Sequence, residues 1–236
     1  MSQLARSFNR ALHNELTIYA AWYPVANTIK LGDFGLIEDG VFRALGNISE
    51  FNAHFNHAAG ESASIDFRSR GATAVRMVGG SKVDSYPEVG NVEATLSFNF
   101  ENANSCLIKG MLSVMAMQNI YQVAKKLKEH DSWERRFRVV SATYTSENIV
   151  IIATSESDTK VEFSATVDAL KQVELGKVEA KVGIQSTKEK VFMSVGKSGV
   201  VGLRLFKLGI WGGVKVLGNE DTAYEEQWGE DLEDDL

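Results

Sequence analysis

The chain is poor in the residues that most often announce chemistry. Its 236 residues include a single cysteine, Cys106, so no disulfide can form within it. Cys106 lies in an apolar, strand-like run, which reads as a buried, inert thiol in a reducing compartment. The four histidines, His13, His54, His57 and His130, are scattered. None has an evident serine or cysteine partner, and no nucleophile, base and orienting group form a recognisable trio. His54 and His57 could share one helical face, but no convergent Cys, Asp or Glu completes a metal site. No apolar run reaches the roughly 18 residues that a spanning helix needs. Leu16 to Ala26 imitates the core of a signal peptide, yet it follows His13 and Glu15 and is interrupted by Pro24, which argues against that reading.

Two fragments imitate nucleotide-handling motifs and fail on inspection. Asp33-Phe34-Gly35 spells the magnesium triplet of kinases, without the catalytic loop or lysine strand that gives it meaning. Gly196-Lys197-Ser198 ends like a phosphate-binding loop, but Val191 stands where the first glycine belongs. No cofactor, no metal and no enzymatic activity are expected.

The net charge of −6 is unevenly spread. From Asn219 to Leu236 there are nine acidic residues and no basic one, leaving 25 basic against 22 acidic in the rest, a body of about +3. A weakly basic body is compatible with an anionic surface such as lipid head groups. The acidic tail would repel nucleic acid, and no recognition motif argues for that partner. We therefore read residues 1–218 as one α+β domain and 219–236 as an acidic C-terminal tail.

What the sequence does contain is periodicity. Gly110 to Glu129 has a helical spacing through Leu112, Ala116, Ile120, Val123 and Leu127, widened by Met115 and Tyr121. Lys125, Lys126 and Lys128 fall where cations suit the negative end of the helix dipole. Residues Ser2 to Ala21 form a second helix, with Leu4, Phe8, Leu12 and Leu16 on one face and Arg6 and Arg10 elsewhere. It either packs on the sheet or touches a membrane through its arginines. Glu38-Asp39-Gly40 is a hairpin signal, and Glu50 to Arg70 is polar and loop-like.

Two strand-rich blocks frame the central helix. In the first, Val92, Ala94, Leu96, Phe98 and Phe100 alternate with polar residues, and Ala72 to Val78 is their partner. After the helix, Arg136 to Thr145 and Asn148 to Ser155 read as a hairpin around Ser146-Glu147. In the second block Val161, Phe163, Ala165 and Val167 alternate with polar residues, as do Val178, Ala180, Val182 and Ile184. Strands apolar on one side and polar on the other sit over a core, and equally suit the wall of a membrane barrel. The predicted fold is a twisted, mainly antiparallel sheet with the central helix packed across it and an N-terminal helix.

The order of elements resembles the pore-forming domain of bacterial gasdermins. The resemblance is carried by Leu31 to Phe51, ending in Leu45-Gly46-Asn47-Ile48-Ser49. It continues through the central helix with Phe137-Arg138-Val139-Val140-Ser141-Ala142-Thr143-Tyr144, and through Lys160 to Ser186 with the strand Val200 to Leu208. It implies that two hairpin regions, matching Thr73 to Phe100 and Val161 to Val195, refold into membrane-spanning strands of a many-copy pore. It also implies that a protease first removes a terminal inhibitory segment. The implied membrane-inserting residues are Val92, Leu96, Phe98, Val161, Phe163, Ala165, Val178 and Val182, and the head-group contacts are Arg6, Arg10, Arg204 and Lys207. The implied partners are membrane lipids after activation, an activating protease and further copies of the chain. The implied setting is the cytoplasm, then the inner membrane, in cell-death type defence. Bacterial members usually carry an acylated cysteine near the start; the first 105 residues here have none. The competing reading is a non-enzymatic binding or assembly domain whose strands stay folded.

In the tail, Tyr224, Trp228, Leu232 and Leu236 fall at four-residue steps, a slanting apolar ridge on a helix. A purely solvating tail has no use for that spacing or for a tryptophan. Gly229 costs about 1 kcal/mol of helix propensity, and so short a helix orders only when docked. The expectation is that Tyr224, Trp228 and Leu232 anchor the tail as an inhibitory lid, its charge facing Arg204, Lys207 and Lys215. Removing residues 219–236 should lower the melting temperature and raise liposome binding, more strongly at low salt. Equal stability and equal indifference to lipid in the trimmed chain would refute the lid.

Overall fold

The computed structural model describes residues 3–38, 40–88, 91–178, 182–209 and 213–217. In chain order these form α1 (Gln3–Leu16), β1 (Tyr19–Ala20), β2 (Asp33–Glu38), β3 (Val41–Asn47), a 3-10 turn (Ile48–Phe51), β4 (His57–Ala59) and β5 (Ala63–Arg68). There follow β6 (Ala72–Val78), β7 (Ser81–Val83), β8 (Glu93–Phe100), β9 (Ser105–Met117), α2 (Ile120–Lys128) and β10 (Arg138–Thr154). The described chain ends with β11 (Thr159–Thr166), α3 (Val167–Glu174), β12 (Gly183–Ser186), β13 (Val191–Leu208) and β14 (Val214–Leu217).

Every strand pairing among the described residues is antiparallel, in two sheets. The larger runs β1-β13-β10-β2-β3, with β9 also beside β10, β4 and β5 on the far edge of β9, and β14 on β13. The smaller runs β12-β11-β8-β6-β7. The α+β class and mainly antiparallel sheet read from the sequence are what the structure shows.

β10 is the middle of the stack. Its run Ile149-Val150-Ile151-Ile152-Ala153 is apolar on both faces and essentially solvent-free. Val150 and Ile152 pack towards the smaller sheet. Ile149, Ile151 and Ala153 pack with Phe8 and Leu12 of α1. Helix, large sheet and small sheet are thus three layers, each burying the apolar face of the next. On α1, Ala5, Phe8 and Leu12 face in while Arg6 and Arg10 lie on the exposed side. Asn9, also buried, accepts from the Ala20 amide at 2.7 Å and so ties α1 to the short strand after it.

The central helix is shorter than its period suggests. Ser105–Met117 is a strand, and only Ile120–Lys128 is helical. Residues Gly110 to Met117 satisfy both periods: Leu112, Val114 and Ala116 share one strand face. Pairing of β9 with β10 from Ser105–Thr154 to Ala116–Ala142 supplies backbone partners that a helix would forgo. In α2, Val123, Ala124 and Leu127 are buried among Phe34, Phe137, Val139 and Phe206. Ile120 is half-buried, and Tyr121, at 73% exposed, does not widen the apolar face. The three lysines do occupy the last turn.

Three further expectations are corrected. The segments either side of Ser146-Glu147 form one 17-residue strand, β10, and the polar pair marks a bulge between Ser146 and Ile149 rather than a turn. Glu50 to Arg70 is not all loop, because β4 and β5 pair along β9; Ile65 and Phe67 are half-buried in alternation. Val167 does not prolong β11 but starts α3. The hairpin signalled by Glu38-Asp39-Gly40 is present: β2 and β3 pair from Asp33–Asn47 to Glu38–Val41, and Gly40 takes the positive φ of 79° that the turn requires.

Replacing Leu127 by Ala, at a site with no solvent exposure, should cost about 2–5 kcal/mol in urea unfolding. Tyr121→Ser, on the exposed side of the same helix, should change stability by no more than about 0.5 kcal/mol.

Candidate membrane-inserting strands

The smaller sheet holds most of the residues expected to enter a membrane. β8 and β11 pair without interruption from Phe100–Thr159 to Glu93–Thr166. Their inward residues are Ala94, Leu96, Phe98 and Phe100 on β8 and Val161, Phe163 and Ala165 on β11. Phe98 and Phe163 meet edge to face with ring centroids 5.7 Å apart, an arrangement that suits the aromatic quadrupole. Leu107, Val150 and Ile152 of the large sheet close the core from below, and Val167, Leu170 and Val173 of α3 close it from the side. Val178 and Val182 are half-buried at its rim, the Val178 amide donating to Asn148 Oδ1 at 3.1 Å. Val92, 43% exposed, lies just outside β8.

The opposite face is polar. Lys160 Nζ lies 2.5 Å from Glu162 Oε2, and Ser97 Oγ donates to the same oxygen at 3.3 Å. The bond from Lys160 is the main reason that the Glu162 carboxyl is held below the usual range. Most β8 and β11 residues therefore divide by sequence parity between an apolar core and a polar outer face, the buried Ser97 and Thr159 being exceptions.

That parity does not stop where β11 stops. Through α3 the odd positions continue as Val167, Ala169, Lys171, Val173 and Leu175, and the even ones as Asp168, Leu170, Gln172 and Glu174. Only Lys171 and Leu170 break the alternation. The same residues also serve a helix, because Val167, Leu170 and Val173 recur every three positions and are buried. Thr166 caps that helix by accepting from the Ala169 amide, and Asp168 sits in its first turn. Gly176, at φ 73°, ends it, packed on the backbone of Lys109 and Gly110 where a Cβ would not fit. Leu175 is 61% exposed. After the helix Leu175 is left largely in water, whereas in a strand it would continue the apolar row.

The head-group candidates are placed differently from one another. Arg6 and Arg10 are on the exposed side of α1. Arg204 is half-buried, donating to the Tyr144 hydroxyl at 2.9 Å with its guanidinium 6.0 Å from that ring's centroid. Lys207 is only 7% exposed and pairs across strands with Lys215. The tail anchors Tyr224, Trp228 and Leu232 lie outside the described residues. His54 and His57 are exposed, His57 on β4 rather than a helix. Among the described residues no three His, Cys, Asp or Glu side chains converge as a metal site would require.

Sequence reading missed α3 and the polar contacts around it. Arg76, in the inward row of β6, forms an ion pair with Glu174 at 2.7 Å and donates to the Asp84 carbonyl at 3.0 Å. Tyr86 packs beside them and donates to the Thr95 carbonyl at 3.1 Å. The available signals were Thr166 three residues before Ala169, and a lone arginine in the row Ala72, Ala74, Arg76, Val78.

No protein-family model matches the chain, and no curated protein matches its sequence. In structure it is similar to gasdermins. One is a bacterial gasdermin from Bradyrhizobium tropiciagri, 14% identical at a TM-score of 0.40 over 89% of this chain and 90% of that one. Another is the Gasdermin A3 membrane pore, 12% identical at a TM-score of 0.39 over 93% and 97% of the two chains.

Burial pushes the Tyr86 phenol up to about 12, Glu174 adds to the rise and Arg76 opposes it. The folded chain then holds this proton more tightly than the unfolded one. Its contribution to stability should be intact below the ordinary tyrosine value of 10.0 and fade as pH climbs towards about 12. Near-ultraviolet titration should show a late-ionising tyrosine that Tyr86→Phe removes.

Proposed function

We propose that this chain is a conditionally activated pore former. In this reading the blocks Thr73–Phe100 and Val161–Val195, which span the smaller sheet and the start of β13, refold and extend across a bilayer. Removal of the acidic tail by a protease would release them, in cell-death type defence, with the protein passing from cytoplasm to inner membrane. The observation that carries the reading is the two-residue alternation that continues in register from β11 into α3, broken only at Leu170 and Lys171. At eight residues β11 is short of the roughly 9–11 that a spanning strand needs. With α3 unwound, Val161 to Leu175 is long enough.

The energetics are feasible because lipid tails are as apolar as the core that the strands leave. Phe163 or Val161 would exchange one apolar surrounding for another, while Glu162, Ser164 and Asp168 would face water. Backbone groups are the harder constraint. In hydrocarbon each must be paired, so a hairpin with open edges cannot stand alone. Insertion therefore demands neighbouring copies, which is a physical reason to expect a homo-oligomer. Arg76 is the exception in the first block, sitting in the row that would meet lipid, where only its long stem could carry the charge to an interface.

The second reading, a binding or assembly domain whose strands stay folded, is favoured by the closed core around Phe98 and Phe163. Dye release from anionic liposomes by the full and tail-trimmed chains separates the two. The pore reading expects Ala169→Arg, on the would-be lipid face, to abolish release at a cost of about 2–4 kcal/mol per strand. Gln172→Arg, on the other parity and exposed, should leave release intact, with urea midpoints confirming that both variants fold. Release that ignores parity, or no release from any folded form, would leave the folded-domain reading standing.

A further inference from the structure

The polar contacts between α3 and β6 are hard to explain as ordinary surface pairing. The inward row of β6 is Ala72, Ala74, Arg76 and Val78, directly across from Phe100, Phe98, Leu96 and Ala94. Three of the four positions are apolar, as a core-facing row should be. Arg76 places a guanidinium opposite Leu96, a residue with no solvent exposure. Its side chain is 28% exposed and that of its partner Glu174 only 17%. Neither charge is well served by water, so removing one leaves the other poorly compensated, unlike the removal of half of an open surface pair.

Glu174 is also in an unfavourable place for a helix. It is the last residue of α3, where the helix dipole is negative and a carboxylate is repelled. A cation is what this end of a helix attracts, and Arg76 provides it. The arginine therefore does two things: it neutralises the carboxylate and it adds positive charge at the C-terminus, where Lys171 of the last turn lies 3.6 Å from Asp168. With its other nitrogen it holds the Asp84 carbonyl, tying the segment after β7 to the same point. An eight-residue helix has little stability of its own. Its helical state depends on the buried Val167, Leu170 and Val173 and on this terminal contact. In the extended alternative Glu174 falls on the polar parity and needs no partner.

We propose that the Arg76–Glu174 pair is a clasp that keeps residues 167–174 helical on the smaller sheet and sets how readily they open into a strand. This rests on the pore-forming reading for its purpose, though not for its existence. The clasp is a gate on the second block operated from the first: β6 must stay in place for α3 to stay wound.

The test uses the full chain and three variants: Glu174→Gln, which keeps the shape and removes the charge; Arg76→Met, which keeps the stem; and the double charge exchange Arg76→Glu with Glu174→Arg. Native-state amide hydrogen exchange should accelerate about tenfold or more in α3 for both single variants, while the amides of Ile149 to Ala153 in β10 stay as they are. The double exchange should restore α3 to within a few-fold of the unmodified chain. Unchanged exchange in α3, or an equal rise in β10 that marks general destabilisation, overturns the clasp. The second arm follows dye release from vesicles of equal phosphatidylcholine and phosphatidylglycerol, with and without residues 219–236. If the unmodified chain releases dye, Glu174→Gln should do so several-fold faster, and an equal rate overturns the gating role. If no form releases dye, the pore-forming reading falls, and the exchange data alone still decide whether the clasp exists.

Discussion

The burial of β10 on both faces is the constraint from which the rest of the structure follows. A strand reading Ile149-Val150-Ile151-Ile152-Ala153 cannot tolerate water on either side, and its edges must be paired as well. β13 occupies one edge over almost the whole length, and β9 and β2 share the other. One face then requires α1, and the opposite face requires the small sheet. Once β10 is placed, little freedom is left in how the layers stack.

The two sheets are not equivalent in this scheme. The large one is held by its long central strands, β9, β10 and β13, with bulges that absorb their twist. The small one has strands of no more than eight residues, a polar outer face on β8 and β11, and a helix in place of a further strand. Its core residues depend on Leu107, Val150 and Ile152 beneath them, whereas the large sheet also packs against α1 and α2. A part that is short-stranded, amphipathic and covered on one side only is the natural candidate to move. The ambiguity of Val167 to Leu175, which satisfies a period of two almost as well as a helical one, belongs to the same region.

Charge is used sparingly and locally. The Lys160–Glu162 pair decorates the wet face of β11, while Arg76 and Glu174 are set into the boundary of the core. The first is the kind of contact that salt and water weaken; the second is shielded enough to discriminate between two conformations of α3.

The strand content, the antiparallel character, the inward residues of β8 and β11 and the hairpin at Gly40 were all legible from sequence. Each depends on local alternation or on a turn residue, information carried within a few positions. The apolar face of α2 at Val123 and Leu127 was legible for the same reason. The state of Gly110 to Met117 was not: its side chains fit helix and strand alike, and only pairing with β10, some thirty residues away, decides between them. For α3 the competition was decided oppositely, by the packing of Val167, Leu170 and Val173 beneath the small sheet and by an arginine ninety-odd residues earlier in the chain. Periodicity by itself determined which faces are apolar. Whether an ambiguous segment becomes helix or strand was left to tertiary structure, because backbone partners and counter-charges distant in sequence supply the difference in free energy.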